Sequence, residues 1–327
     1  MDAWSTALIA ALDKVRPAVV HVDARTPGTN QMALGTGVVL DHYHIISSAQ
    51  IVAMEDQITV KTADGKRRKA TCIGIDPLYF LAILRTEERL PVDPPTFAPE
   101  GSAPVGLAVF AVGNALGYEH TMTTGHISSG ERTVYRPSQI RGAGNFPVDG
   151  LLTTNAQVHP GNTGGPLVDL EGRVVGICGI PWQGGMSLAI QAAVAARVAS
   201  QIIDNGYAVH PWLGFSGEAD VIDKIWVDLL SLPYDRGVVV QYVPRGGPAH
   251  RAGLKEMDMV MAVDGHQPIS HVGFIRKVLA GRKHGEKVPL TVLRQGEVTE
   301  LQIAVEEMPR LNEPPDIDSV ESQEEDE

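Results

Sequence analysis

The sequence predicts a mainly β protein in which a larger β-rich domain precedes a smaller α+β domain. Three observations support this division. Short apolar segments between residues 18 and 180 are separated by Gly, Pro and Asp, the pattern of a sandwich or barrel. A helical pattern over residues 187–205 ends at Gly206, where a C-terminal glycine is favoured. Beyond it, short strand and helix patterns alternate up to residue 308.

The chain opens with a predicted amphipathic helix over residues 3–16. Trp4, Leu8, Leu12 and Val15 recur at helical spacing, and Pro17 ends the pattern. The first domain then contains seven predicted strands, at residues 18–22, 37–40, 58–62, 70–75, 81–84, 105–112 and 174–180.

The second domain mixes both kinds of element. Strands are predicted at residues 237–242, 259–263, 288–293 and 298–305, and helices at residues 249–254 and 272–280. The end of the chain is acidic and proline-containing, with no core to bury, and is predicted to be disordered. We therefore place the parts as follows: N-terminal helix 1–16, β domain 17–205, linker 206–211, α+β domain 212–308 and acidic tail 309–327.

Composition excludes several classes of function. The formal net charge is −12, and the one basic run, residues 66–69, has the position of a solvated hairpin end, so no nucleic-acid partner is expected. Cys72 and Cys178 lack metal-ligand spacing and are predicted to be buried free thiols. No metal or other cofactor is expected. No run reaches a membrane span, and Asp2 stands where a secretory signal would be basic, which predicts a cytoplasmic location.

Residues 161–167, Gly-Asn-Thr-Gly-Gly-Pro-Leu, are the most informative stretch, and we call them the glycine turn. Three glycines around one hydroxyl residue allow backbone N–H groups to converge, as they do in an oxyanion hole. An ordinary Gly-Pro hairpin explains these residues equally well.

Motifs in both domains resemble the HtrA family, in which a trypsin-like protease domain precedes a PDZ domain. The matching segments are residues 35–39, 123–125, 161–167, 187–190, 237–240, 247–249, 252–254 and 258–265. The resemblance implies a trypsin-like double β-barrel followed by a small α+β PDZ domain.

The resemblance also implies where a Ser-His-Asp triad would lie. Thr163 replaces the serine, Gln50 the histidine and Phe80 the aspartate, while Gly161, Asn162 and Thr163 form the oxyanion turn. A glutamine amide is not a base near neutral pH, and triad members act as a unit. We therefore predict a chain that is not an enzyme.

Three histidines are the alternatives for a base. His159 lies four residues before Thr163, and His42 and His44 lie shortly before Gln50. A bystander role is favoured for each of them.

In the PDZ domain, the resemblance places the carboxylate-binding loop at Trp212, Leu213, Gly214 and Phe215. The helix over residues 272–280, with Phe274 and Val278, would form the other wall of the groove. Residues 213 and 215 are expected to line part of the pocket. Phe274 and Val278 fit the core as well as the groove.

The first hypothesis is a pseudoprotease that binds protein C-termini or unfolded segments as a scaffold, adaptor or chaperone-like holdase. The alternative is an active endopeptidase of protein quality control with Thr163 as its nucleophile. A third hypothesis is an assembly module, because the resemblance implies a homotrimer to which the N-terminal helix would contribute.

Overall fold

The structure is a computed structural model, and it describes most of the chain. The described residues are 2–25, 28, 32–52, 57–114, 121–137, 145–159, 161–181, 185–267, 269, 274–275, 278–279 and 281–308. The predicted acidic tail lies outside them. The chain divides into two compact units, Met1–Val134 with Val148–Ala208, and Tyr135–Pro147 with Val209–Glu327.

The first unit opens with helix α1, Ala3–Val15, whose N-cap Asp2 accepts a hydrogen bond from the Ser5 N–H. A short 3-10 helix, Arg16–Ala18, links it to the first strand. Ala11 and Val15 are buried, whereas Trp4 is 45% exposed. The predicted helix is confirmed, but its buried stripe is narrower than the pattern indicated.

The first barrel contains six strands in the closed order β1-β2-β3-β6-β5-β4. Their bounds are β1 Val19–Arg25, β2 Met32–Val39, β3 His44–Ser48, β4 Gln57–Lys61, β5 Arg67–Asp76 and β6 Leu81–Thr86. Alternate residues fill the interior, including Val20, Val22, Ile45 and Leu84. Residues 66–69 are not simply a solvated hairpin end, because the Arg68 side chain is buried and pairs with Asp64.

The second barrel is also closed, in the order β10-β11-β12-β9-β8-β7. Its strands are β7 Ala108–Gly113, β8 Thr121–Pro137, β9 Asn145–Thr154, β10 Pro166–Asp169, β11 Val174–Pro181 and β12 Ser187–Gln191. Helix α2, Ala192–Asn205, follows, and Gly206 ends it with a φ of 84°. The two barrels confirm the trypsin-like double barrel.

One predicted boundary is wrong. Residues 187–191 are strand β12, not the start of the helix, because they pair with β9 on one side and β11 on the other. The sheet partners override the helical pattern there.

A second predicted boundary, the start of β7, is also wrong. The strand was predicted to begin at residue 105, but Val105 is 70% exposed and β7 begins at Ala108.

The second unit contains a five-stranded sheet in the order β14-β15-β16-β17-β18 and a pair formed by β13 and β19. The strands are β13 Pro211–Trp212, β14 Ser216–Val221, β15 Arg236–Tyr242, β16 Met259–Val263, β17 Lys287–Arg294, β18 Glu297–Ala304 and β19 Glu306–Glu307. The helices are α3 Lys224–Leu229 and α4 Pro248–Arg251. Helix α3 was not predicted. The antiparallel sheet and the helices confirm the α+β class.

Candidate active site and peptide groove

The glycine turn lies immediately before β10 and is fixed by its own backbone hydrogen bonds. The Asn162 N–H donates to the His159 carbonyl (2.9 Å), and the Gly165 N–H donates to the Asn162 carbonyl (3.0 Å). Strand β11 holds the far side, since the Gly164 N–H donates to the Cys178 carbonyl and the Cys178 N–H to the Gly165 carbonyl, both at 2.8 Å. The turn is therefore anchored in the second barrel.

Thr36 of β2 attaches the same turn to the first barrel. Its N–H donates to the Thr163 carbonyl (3.1 Å), and its hydroxyl donates to the Gly161 carbonyl (2.6 Å). The hydroxyl also accepts the backbone N–H of Asn114 (3.0 Å). Thr36 is fully buried. A single side chain thus joins the turn, the end of β7 and the first barrel.

The glycine at position 164 is required by this packing. Gly164 has a φ of 83°, and a Cβ there would lie 2.4 Å from the Thr36 carbonyl oxygen and 2.7 Å from the Ser48 nitrogen. No larger residue fits without moving the backbone. The glycine at this position therefore reflects the contact between the two barrels.

The Thr163 N–H points away from these anchors. The carbonyl of Asn162, which belongs to the same peptide plane, is turned inward to accept from Gly165. In a trans peptide the N–H lies opposite the carbonyl, so the Thr163 N–H points away from Gly165. Among the described residues it has no acceptor. It is placed to donate to a ligand oxygen, as the sequence suggested for an oxyanion turn.

Gln50 and Phe80 lie at the end of the first barrel that meets the turn. Ser48, the last residue of β3, pairs with Leu81, the first residue of β6. Just beyond this pair, the Ala49 N–H donates to the Phe80 carbonyl (2.8 Å). Gln50 is exposed and Phe80 is half-buried. Since Ser48 also approaches Gly164, the structure places positions 50, 80 and 163 around one region between the barrels.

Phe80 has an unusual backbone for a bulky residue, with a φ of 55°. The left-handed region costs about 1 kcal/mol or more for residues other than glycine, and Asn or Asp tolerates it best. Position 80 therefore has a backbone that suits a short polar side chain better than the phenylalanine it holds.

The histidines proposed as alternative bases occupy different places. His44 begins β3 and pairs with Asp41 (2.8 Å), about 13 Å along the strand from Ser48 at 3.3 Å per residue. His42 precedes it, and its carbonyl accepts from Leu90. His159 is half-buried and contributes its carbonyl to the glycine turn. Of the three, only His159 lies beside the turn.

Two polar features of the site were missed from the sequence. Asn162 is fully buried, and neither its Oδ1 nor its Nδ2 has a partner among the described residues. The Thr36 connection was missed as well. The only sequence signal for this connection was that Gly35 and Gly37 flank Thr36. A Cβ at Gly35 would lie 1.9 Å from the Ile51 side chain, so the tight packing around Thr36 requires a glycine there.

Both cysteines are buried and neither forms a disulfide, as predicted. Burial raises the pKa of the Cys178 thiol to about 12, so it stays protonated beside the turn. No group of His, Cys, Asp or Glu within the described residues could hold a metal ion. None of the helices in the described ranges is long and apolar enough to cross a membrane.

In the PDZ-like unit, Trp212 is the last residue of β13, and the other predicted loop residues, 213–215, lie between β13 and β14. Leu213 and Phe215 are 2% and 5% exposed and belong to the core of the domain. Gly214 has a φ of 84°, and a Cβ there would lie 2.6 Å from Pro248. Trp212 is half-buried and pairs with Glu306.

The second predicted wall of the groove is described only in part. Phe274 and Val278 are half-buried and pack against the core, whereas residues 272, 273, 276, 277 and 280 of the predicted helix lie outside the described residues. The His266 ring meets the Phe274 ring edge-on at 6.4 Å.

Two family models match the chain and define its class. A trypsin-like peptidase domain matches residues 35–177, and a PDZ domain matches residues 215–305. The chain is thus a trypsin-like peptidase-domain protein with a C-terminal PDZ domain.

Solved structures and named relatives identify the family. An HtrA-type protease, AlgW with a tripeptide, aligns with a TM-score of 0.75 at 28% identity, covering 93% of this chain and 98% of the other. The serine endoprotease from Yersinia pestis aligns with a TM-score of 0.68 at 26% identity, covering 92% and 98%. In fold and domain order the chain is therefore similar to HtrA-type proteases over nearly its whole length.

Curated relatives are named probable periplasmic serine endoproteases, DegP-like. The one from Pseudomonas fulva is 32% identical over 289 residues, which span 85% of this chain and 56% of the relative. The one from Chlamydia trachomatis is 27% identical over 296 residues, 88% of this chain and 57% of the relative. The chain therefore spans little more than half the length of these relatives.

These comparisons correct two predictions. The prediction that the chain is not an enzyme is wrong, since the relatives and the structural neighbours are named serine endoproteases or HtrA-type proteases. It rested on residues 50, 80 and 163 alone. The predicted cytoplasmic location is contradicted by the periplasmic names of the relatives. It rested on the first few residues, which say nothing about where the folded domains work.

Proposed function

We propose that this chain is an HtrA-type endopeptidase that binds extended or unfolded polypeptide through its PDZ domain and cleaves it with Thr163 as the nucleophile. The observation that carries the proposal is the glycine turn, in which the Thr163 N–H has no acceptor among the described residues and which is held by hydrogen bonds from both barrels. The names of the relatives support the same reaction class.

In the proposed reaction the Thr163 hydroxyl adds to a peptide carbonyl and gives up its proton, the peptide C–N bond breaks as the leaving amine takes up a proton, and water then hydrolyses the threonyl ester. The N–H of Thr163 would stabilise the developing oxyanion, an interaction that strengthens in the transition state. The β-branched side chain restricts χ1, which limits the nucleophile to few orientations. Gln50 and Phe80 supply no proton acceptor, so the base is a group outside those two positions.

The absence of a base at position 50 sets the expected rate. Loss of a triad member can lower kcat by about a millionfold, while an oxyanion hole and binding alone retain about 10³–10⁴ over water. Turnover is therefore expected to be slow, and it must be followed with micromolar enzyme over hours.

Peptide binding is assigned to the PDZ domain. Strand β14 lies at the edge of the sheet, and Gly214 brings the preceding loop close to α4. Edge strands accept extended peptides as an added strand. HtrA-type protease AlgW, which aligns with this chain, has been solved with a tripeptide and with a decapeptide.

The test measures hydrolysis of unfolded casein by the full chain, together with labelling by a fluorophosphonate, which bonds to a nucleophilic oxygen and releases fluoride. Thr163→Ala should abolish both signals, whereas Thr71→Ala, at an exposed position on β5, should change neither. Labelling mapped to residue 163 by mass spectrometry would support the assignment.

A second variant separates the nucleophile from the rest of the machinery. The combined change Gln50→His, Phe80→Asp and Thr163→Ser supplies base, orienting acid and serine at the three adjoining positions, and should raise turnover by several orders of magnitude. Casein cleavage that survives Thr163→Ala would contradict the proposal. Absence of cleavage by both the unaltered chain and the triple variant would contradict it as well.

A further inference from the structure

Strand β14 presents two acidic side chains at the edge of the PDZ sheet. It is the terminal strand and pairs with β15 alone among the described strands. Glu218 and Asp220 are two residues apart and both exposed. An added strand would lie directly beside them, since neighbouring strands are about 4.8 Å apart.

The register decides which face these acids occupy. Gly217 and Ala219 stand opposite Val240 and Val238, whose side chains enter the domain core. Cross-strand partners share a face and successive residues alternate, so positions 218 and 220 point to the other face of the sheet. The acids thus lie away from the face on which the core and Phe274 pack.

The negative charge on this face is not compensated. Glu218 stands opposite Val239, and Asp220 stands opposite Gly237. Neither acid forms an ion pair with any described residue, and the Asp220 carboxylate accepts only the neighbouring Val221 N–H. The chain as a whole carries a formal charge of −12. A cationic ligand would complete the charge balance at this edge.

We propose that Glu218 and Asp220 are specificity-determining residues that select an extended peptide with Lys or Arg at two alternate positions. This inference rests on the peptide binding proposed for the PDZ domain. The side chains at i and i+2 of a strand lie nearly 7 Å apart, so a basic-x-basic pattern on an antiparallel or parallel partner strand matches their spacing. The chain's own acidic tail has the wrong sign to occupy this edge.

The expected preference is modest because both acids are exposed to water. Exposed pairs of opposite charge are individually weak, and two of them together correspond to about a fivefold change in Kd. The preference should fade at 0.5 M salt, where the screening length falls well below that of physiological buffer. The part of the affinity that comes from backbone hydrogen bonds and from an apolar C-terminal residue of the peptide should remain at high salt.

The experiment uses the full chain and fluorescein-labelled ten-residue peptides that share an apolar C-terminal residue. At the two alternate positions that face away from the core, the peptides carry Lys and Lys, Gln and Gln, or Glu and Glu. Anisotropy titrations in 50 mM and 500 mM salt give Kd for each. The lysine peptides should bind about fivefold tighter than the glutamine peptides at low salt, and the glutamate peptides weakest.

Matched variants complete the test. Glu218→Gln with Asp220→Asn should remove the preference, while Glu256→Gln with Glu297→Gln, which removes the same charge at exposed positions elsewhere in the unit, should retain it. Equal affinity of all three peptide classes for the unaltered chain would overturn the inference but leave peptide binding intact. Failure of every peptide to bind would overturn the proposed peptide binding as well.

Discussion

Thr36→Val is the sharpest test of how the glycine turn is held. Valine keeps the shape of threonine but removes the hydroxyl that donates to Gly161 and accepts from Asn114. The substitution leaves one carbonyl and one N–H unpaired between the barrels. Position 114 is buried, at 2% exposure, and Gly161 is half-buried.

The magnitude follows from those two lost bonds. An unsatisfied buried polar group costs about 1–3 kcal/mol, so Thr36→Val should lower the free energy of unfolding by roughly 2–4 kcal/mol. Thr36→Ser keeps the hydroxyl and loses one methyl group, which should cost about 1 kcal/mol. The serine variant should therefore be the more stable by roughly 1–3 kcal/mol, although it buries less apolar surface.

The assay combines two measurements: urea unfolding of the chain, and hydrogen exchange in peptides from residues 32–48 and 108–114. The exchange of these peptides reports on the first unit separately from the PDZ domain. Thr36→Val should also speed exchange of the Asn114 amide, whereas Thr36→Ser should not. A valine variant as stable as the serine variant, with unchanged exchange at Asn114, would refute the role assigned to the hydroxyl.

Further predictions concern the backbone at position 80, an ion pair and a thiol. Phe80→Asn should be more stable in thermal unfolding than Phe80→Ala by about 0.5–1 kcal/mol, because asparagine tolerates the left-handed backbone better; the reverse order would contradict the φ of 55°. Hydrogen bonds led by that from Arg68 hold the pKa of the Asp64 carboxyl well below its usual value. Its contribution to stability is thus present above about pH 4 and lost as the pH falls toward the folded-state pKa. Asp64→Asn should cost about 1 kcal/mol at pH 7, allowing for partial exposure, with a smaller difference in acid denaturation below pH 4. The Cys178 thiol, with its pKa raised to about 12, should resist iodoacetamide at pH 8 until urea unfolds the chain. Labelling of native Cys178 would show that it is not buried.

Much of the fold was predictable because it depends on local patterns. The apolar segments located most strands of the first barrel but only β7 and β11 of the second, and Gly206 marked the end of α2. The three glycines in residues 161–167 indicated a tight turn in which backbone N–H groups could converge. The burial of Cys72 and Cys178 followed from their apolar neighbours.

The class of activity was not predictable from the triad positions. Gln50, Phe80 and Thr163 argued for a non-enzyme, while relatives aligned over most of the chain are named endoproteases. The three side chains at positions 50, 80 and 163 report only on the groups available for catalysis. Similarity over most of the chain reports on the class of protein. A comparison of turnover by the unaltered chain and by Thr163→Ala would relate the two.

The sequence by itself determined the mainly β class, the order of the two domains and the place of the glycine turn, since each depends on residues close together in the chain. Only the tertiary structure decided that residues 187–191 are a strand, because that depends on pairing with β9 and β11. It also decided that Thr36 holds Gly161 and Thr163, a contact across 125 residues for which no local pattern exists. The face occupied by Glu218 and Asp220 likewise follows from the register with β15.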